Sequence, residues 1–244
     1  MITEISIIIP TLNEKRYISK LLISILEQNF GGKLEIIIVD GNSSDNTIEV
    51  ANSFKNKISD LQIFKTEKGV ARQRNYGASK AKYGNLLFID ADIVLSPNIL
   101  NKITGRINDK QKYIATVMYL AEGKNLLYNA SVLAVYSIYF LLSFLSPITQ
   151  GGFFLIGKKL HNKINGFKEG TILFEDVDYG RRALKAGAKW YQFKSLFVFH
   201  SIRRAEKIGA FKLFMLWFRA YWFSRKKGQP IYPGQGFDYP YGNF

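Results

Sequence analysis

Apolar and polar positions change period in blocks along the first half of the chain. Ile5–Ile9 is a β-branched run stopped by Pro10, the pattern of a buried strand. Ile18, Leu21, Leu22, Ile25 and Leu26 recur at helical spacing. Gly31-Gly32 punctuates, and Leu34–Val39 is a second apolar run ending at Asp40. Asp45 or Asn46 stands where it would cap a helix whose apolar face is Ile48, Ala51 and Phe54. Leu61–Phe64 reads as a third strand, Val70–Lys82 as an Ala-rich basic helix, and Asn85–Ile89 as a fourth strand. Strands alternating with helices predict an α/β fold, a mostly parallel central sheet with helices on both faces. Ligands of such sheets bind outside the carboxyl ends of the strands. Three of those ends carry polar groups: Thr11-Leu12-Asn13-Glu14, Asp40–Asp45 and Asp90–Asp92.

The second half is patterned differently. Leu126–Pro147 carries no charge and is about long enough to cross a bilayer as a helix, although Asn129, Ser131, Ser137 and Ser143 interrupt it. A buried helical hairpin, a segment at the membrane interface and a span are the three readings it admits. Gln150–Ile156 reads as a strand and Lys158–Ile164 as a basic helix. Glu175-Asp176-Val177-Asp178 opens a helix closed by Gly187, and Lys189–Phe193 and Leu196–Phe199 read as two further strands ending at His200. Ile208–Lys227 is aromatic, with Lys212, Arg219 and Lys226 on one line at helical spacing. That helix suits the headgroup region of a membrane, or packing on its own domain or a sister subunit. No internal repeat is apparent.

Composition narrows the chemistry. Of 244 residues, 47% are hydrophobic, enough for a sizeable core. The net charge of +15 asks for an anionic partner: phosphate-bearing substrates, an anionic membrane surface or nucleic acid. The basic residues are dispersed and no nucleic-acid motif is present, so the last of these is the alternative reading, beside that of an inactive membrane-surface scaffold. With no cysteine, thiolate catalysis, disulfides and cysteine metal sites are excluded. His161 and His200 are too few for a histidine-rich zinc site. The first residues lack the pattern of a signal peptide, and a cytoplasmic protein, peripheral at the cytoplasmic face of the membrane, is expected.

The stretch Leu86–Val94 is the most informative. An apolar run ends in Asp90 and Asp92, whose side chains in extended backbone point the same way. Two such oxygens suit a hard divalent cation and, through it, the phosphates of a nucleotide. A strand running into a polar turn is the other reading of these nine residues.

The order Pro10-Thr11-Leu12-Asn13-Glu14, Asp40–Thr47, Ala71-Arg72-Gln73-Arg74-Asn75, Asp90-Ala91-Asp92 and Glu175-Asp176 resembles glycosyltransferase family 2, over roughly residues 3 to 200. The resemblance implies the GT-A fold and inverting transfer of a sugar from a nucleotide-diphosphate donor, UDP- or GDP-linked. It implies donor-binding roles for Pro10, Thr11, Asn13, Glu14, Asp40, Arg72, Arg74, Asn75 and Asp90, with either arginine near the diphosphate. It makes Asp92 a ligand of Mn²⁺ or Mg²⁺, joined by His200 in some members, and Asp176 the catalytic base with Glu175 beside it. Residues 1–115 would form the nucleotide-sugar half, 116–205 the acceptor and base half, and 206–244 a basic aromatic extension. A lipid-linked or glycan acceptor, an anionic membrane surface and a homodimer are the further partners considered, with no nucleic acid. Two departures matter. Arg181-Arg182-Ala183-Leu184 lacks the Gln-x-x-Arg-Trp motif of processive members, so one sugar is expected per turnover. Gly41-Asn42 stands where many members have Asp-Gly, leaving Asp40 as the carboxylate for the base and ribose.

Overall fold

Strand β1 (Glu4–Thr11) is buried along nearly its whole length because helices cover both of its faces. Ile5, Ile7 and Ile9 meet Ile18, Leu21, Leu22 and Ile25 of α1 (Ile18–Leu26), while Ile8 faces Ala71 and Ala78 of α3 (Val70–Lys80). Alternate side chains of a strand serve opposite layers, so a strand covered on both sides reads as an unbroken apolar run. Leu26, on the apolar face by spacing alone, is exposed. In this computed structural model, residues 2–122 and 152–237 are described; the predicted Leu126–Pro147 segment lies outside them.

β1 pairs in parallel with β2 (Lys33–Asp40) and β4 (Asn85–Ile89), and β2 pairs in parallel with β3 (Leu61–Lys65). The register sets Thr11 beside Asp40 and Asp40 beside Lys65, so these strands end on one rim. The short α2 (Thr47–Asn52) follows β2; Asp45 supplies the oxygen that receives its first amide, Thr47 N–H, at 3.0 Å. α3 lies close on the sheet because Gly77 leaves space: a Cβ there would sit 2.5 Å from Ile8 Cγ2. That approach brings Gln73 and Arg74 to the strand ends.

Beyond β4 the sheet becomes mixed. Its order is β3-β2-β1-β4-β7-β6-β8-β5, with β5 (Ile93–Leu95), β6 (Tyr113–Ala121), β7 (Phe153–Gly157) and β8 (Lys189–His200). β7 is antiparallel to β4 and β6, β8 is parallel to β6, and β5 is antiparallel to β8. One eight-stranded sheet thus runs through both halves expected from sequence. The two strands predicted at its end are one: the ladder with β6 passes from Val117–Phe193 to Met118–Phe197, and the intervening Lys194-Ser195-Leu196 bulges out. The predicted Val70–Lys82 helix stops at Lys80, and the predicted Gln150–Ile156 strand is displaced to Phe153–Gly157.

Helices α4 (Ile99–Thr104), α5 (Lys158–Lys163), α6 (Glu175–Lys185), α7 (Arg203–Ile208) and α8 (Ala210–Lys227) complete the described chain. α8 packs its inner face through Ala220 on Leu173 and Ile231, with Phe174, Phe223 and Phe237 around them. Leu173 and Ile231 also form an isolated antiparallel bridge, so the segment entering α6 is tied to the chain beyond α8.

Candidate active site

The site lies where β1, β2, β4 and β8 end, and its side chains fall into three connected groups. The first joins β1 to β2. Asp40, fully buried, accepts hydrogen bonds from Thr11 Oγ1 at 3.1 Å and from Ser43 N–H at 2.8 Å and Oγ at 2.5 Å. Gln73 reaches from α3 and donates to the carbonyls of both Thr11 and Val39, each at 2.7 Å. Asn13, left-handed at φ 58°, accepts from the Ser44 amide at 2.9 Å, and its own amide donates to Ser43 Oγ at 2.8 Å. Asn tolerates that backbone better than most residues. Pro10 is buried opposite Val39 in the ladder.

The second group links the Asp-Ala-Asp turn to the start of α6. Arg74 is 1% exposed. Its Nη2 donates to Asp90 Oδ1 at 2.7 Å and its Nη1 to Glu175 Oε1 at 3.0 Å. Its guanidinium lies against the adjoining rings of Phe154 and Phe167, at 5.4 and 5.3 Å from their centroids. Burial works against the charged guanidinium, but Asp90 and Glu175 overcome it and raise its pKa. A planar fork that bridges two carboxylates and lies against two rings is a task for arginine rather than lysine.

Asp176, next to Glu175, sits in the first turn of α6. The residue keeps some surface open, yet its carboxyl is crowded by protein; that burial, and then the Glu175 charge, push its pKa up to about 8 against the pull of Arg74. Asp178 shows the opposite outcome on the same helix. Burial alone would raise it, but hydrogen bonds from Arg182 and Arg181, with Lys168 at 3.3 Å, hold it below the ordinary carboxylate range. The residue before this helix, Phe174, has φ 62°, a costly backbone for a bulky side chain.

The third group gathers Asp92, His200, Arg203 and Glu14. Because β5 pairs with β8, Ile93 lies opposite His200, and His200 Nε2 stands 3.5 Å from Asp92 Oδ1. Arg203 grips Glu14 with both terminal nitrogens, at 2.7 and 2.5 Å, places Nη2 3.2 Å from Asp92 Oδ2, and stacks over Tyr17 at 4.6 Å. Burial pushes Glu14 up to about 7 despite the Arg203 hydrogen bond. Burial also acts to raise Asp92, but His200, Arg204 and Arg203 outweigh it and lower its pKa.

These residues fit a divalent cation. Asp92 Oδ2 is buried and among the described residues has no partner beyond its ion pair with Arg203 Nη2 at 3.2 Å, and an imidazole nitrogen lies within reach of the same carboxylate. Among the described residues no cluster of three His, Asp or Glu converges on one point, so phosphate oxygens would complete such a shell.

Two expected donor contacts are placed at the flank. Arg72 pairs with Glu67 and, at 3.1 Å, with Glu169. Asn75 donates to Phe167 O at 2.9 Å and accepts from Phe167 N–H at 2.8 Å, so its amide pins the 166–169 segment. Sequence reasoning gave no role to Gln73, Tyr17 or Ser43. Only Gln73 left a signal, a long polar side chain on the strand-facing side of an Ala-rich helix.

Residues 6–166 match the sequence profile described as Glycosyl transferase family 2. The chain belongs to glycosyltransferase family 2. Curated relatives of this family-2 chain include the poly(ribitol-phosphate) β-N-acetylglucosaminyltransferase TarS of Staphylococcus aureus, 30% identical over 43% of the chain and 19% of that protein. An uncharacterized glycosyltransferase of Haemophilus influenzae is 33% identical over 40% of each chain. The chain thus spans well under half the length of these relatives. Its fold is GT-A. The S. aureus TarS 1–349 structure superposes with a TM-score of 0.64 at 19% identity, over 81% of this chain and 60% of that one. A mannosyltransferase from Pyrobaculum calidifontis, crystallised with GDP-Man and Mn²⁺, superposes with 0.69 at 19% identity, over 94% of this chain and 65% of that one.

Proposed function

We propose that this family-2 member moves one sugar, with inversion, from a nucleotide-diphosphate sugar to a hydroxyl of a lipid-linked or other membrane-proximal acceptor. The carrying observation is Asp176, a carboxyl of raised proton affinity beside the Arg74–Asp90–Glu175 network. Asp176 takes the proton of the acceptor hydroxyl as its oxygen bonds to the anomeric carbon. The anomeric carbon–oxygen bond to the diphosphate breaks, and its electron pair leaves on the diphosphate. Attack opposite the leaving group inverts the centre. Glu175, tied to Arg74, fixes the first turn of α6 and so the direction of the Asp176 carboxyl.

Asp92 and His200 would hold Mn²⁺ or Mg²⁺, which when bound neutralises charge developing on the leaving diphosphate. A neighbouring fold solved with GDP-Man and Mn²⁺ supports a divalent cation, and neighbours in complex with UDP and UDP-GlcNAc support a nucleotide-sugar donor. Asn13 and the 42–44 loop form the rim on which base and ribose would rest, and the buried Thr11 and Asp40 hold that loop in place. The net charge of +15 and the aromatic basic α8 support an acceptor held at a membrane, on its cytoplasmic face. Nucleotide release from a panel of UDP- and GDP-sugars, with Mn²⁺ and with chelator, tests the reading. Asp176→Asn is expected to lower transfer by about a hundredfold or more. Full activity in that variant would refute the assignment.

A further inference from the structure

Helix α8 carries aromatic side chains all round, but the fold uses only one side of it. At about 100° per residue, Leu213, Ala220 and Ser224 share a face, and all three are buried. The opposite line is Phe211, Met215, Phe218 and Trp222, exposed by 75%, 38%, 38% and 44%. Large apolar residues in a row, opposite the packed face, mark a surface built to be covered. Exposed Lys212, Arg219 and Lys226 flank this ridge on one side and Arg225 on the other, and α8 contains no carboxylate.

We propose that this ridge lies in the headgroup boundary of an anionic lipid bilayer, with α8 in the membrane plane. An apolar line between cationic flanks is the pattern of a helix resting on such a surface. A second copy of the chain is disfavoured as occupant, because it would bring the same cations against these. Among the described residues no helix is long and apolar enough to cross a membrane.

The placement also orients the site. α8 follows α7 across Gly209, and Arg203 at the head of α7 holds Glu14 and lies beside Asp92. Its inner face packs on Leu173 and Phe174, directly before Glu175 and Asp176. The docked helix is therefore joined through α7 to the donor side of the rim and packed against the segment that enters its base side. The surface stands on its own geometry; its purpose rests on the membrane-proximal acceptor proposed above.

The test is co-sedimentation of the full chain with vesicles of phosphatidylcholine, with and without phosphatidylglycerol. The wild type is expected to bind the anionic vesicles, and Phe211→Ser/Phe218→Ser/Trp222→Ser to bind at least about tenfold more weakly. Lys212→Glu/Arg219→Glu/Lys226→Glu is expected to lose the preference for phosphatidylglycerol. Brominated acyl chains should quench wild-type tryptophan emission more than that of Trp222→Phe. Wild-type levels of vesicle binding in the serine variant would overturn the proposal, as would a wild type that binds no vesicle. So would a dimer in solution that the serine variant dissociates while vesicles are ignored. Donor hydrolysis in solution, measured on the same proteins, is expected to be unchanged. Its absence from the wild type would count against the transferase reading and leave the docking result standing.

Discussion

Arg74 is the side chain on which the donor side and the base side of the site meet. Its charge is compensated by Asp90 and Glu175 in a place with almost no water, so removing it strands two carboxylates. Arg74→Ala is expected to cost about 3–5 kcal/mol, read from urea unfolding, and Arg74→Lys to recover only part because an ammonium cannot bridge as a fork. Asp176 makes a prediction about pH. Its folded pKa, about 8, lies above the ordinary 3.8, so the folded state keeps a proton that the unfolded chain releases. The stability this contributes is whole below the unfolded value and is lost as pH rises through the folded one. Asp176→Asn should therefore gain melting temperature relative to wild type as pH rises from about 5 to about 8. As the proposed base, Asp176 would work only when deprotonated, so wild-type kcat/KM should climb over the same range, and that limb should vanish in Asp176→Asn. Asp90, Asp92 and Asp176 were legible in the sequence because a carboxylate at the end of an apolar strand or the start of a helix breaks the pattern around it. Arg203 was read from the sequence, with Arg204, as a candidate for donor or acceptor phosphate, whereas in the structure it holds Glu14. Its partner Glu14 lies 189 positions away, and no local pattern connects the two.

At the scale of elements, spacing recovered what repetition makes visible. β1 to β4 and α1 to α3 emerge from the changing period of apolar positions, since each buries a broad face. β5 spans three residues, too short for any period to show. β6 is buried on both faces around Thr116, so it has neither alternation nor a clean apolar run. The bulge in β8 made one strand look like two, because Lys194-Ser195 interrupts the pattern while the ladder resumes beyond it. The contact between α3 and β1 is a matter of shape that sequence hides. Gly77→Ala would push a methyl group into Ile8 and is expected to destabilise by about 1–3 kcal/mol, measured by thermal and urea unfolding. It should also weaken donor binding, because Gln73 and Arg74 ride on the same helix.

For the whole molecule, the two proposals give the excess of positive charge two uses: phosphate at the rim and lipid headgroups at α8. A ligand that binds only the folded state stabilises it by mass action, about 2.7 kcal/mol at a hundred times its dissociation constant. A nucleoside diphosphate with Mn²⁺ is therefore expected to raise the melting temperature by several degrees, and with chelator by much less. A larger shift with oligonucleotides than with either nucleotide would favour the nucleic-acid reading of the charge. Sheet topology adds a consequence in time. β5 leaves the chain directly after β4 yet must wait for β8, since Ile93 pairs with His200. Contacts between such distant positions form late, because the intervening chain must first be closed into a loop. The Asp92–His200 pair is thus among the last features to assemble on folding. During refolding, the β1–β4 half should gain hydrogen-exchange protection before metal-dependent activity returns.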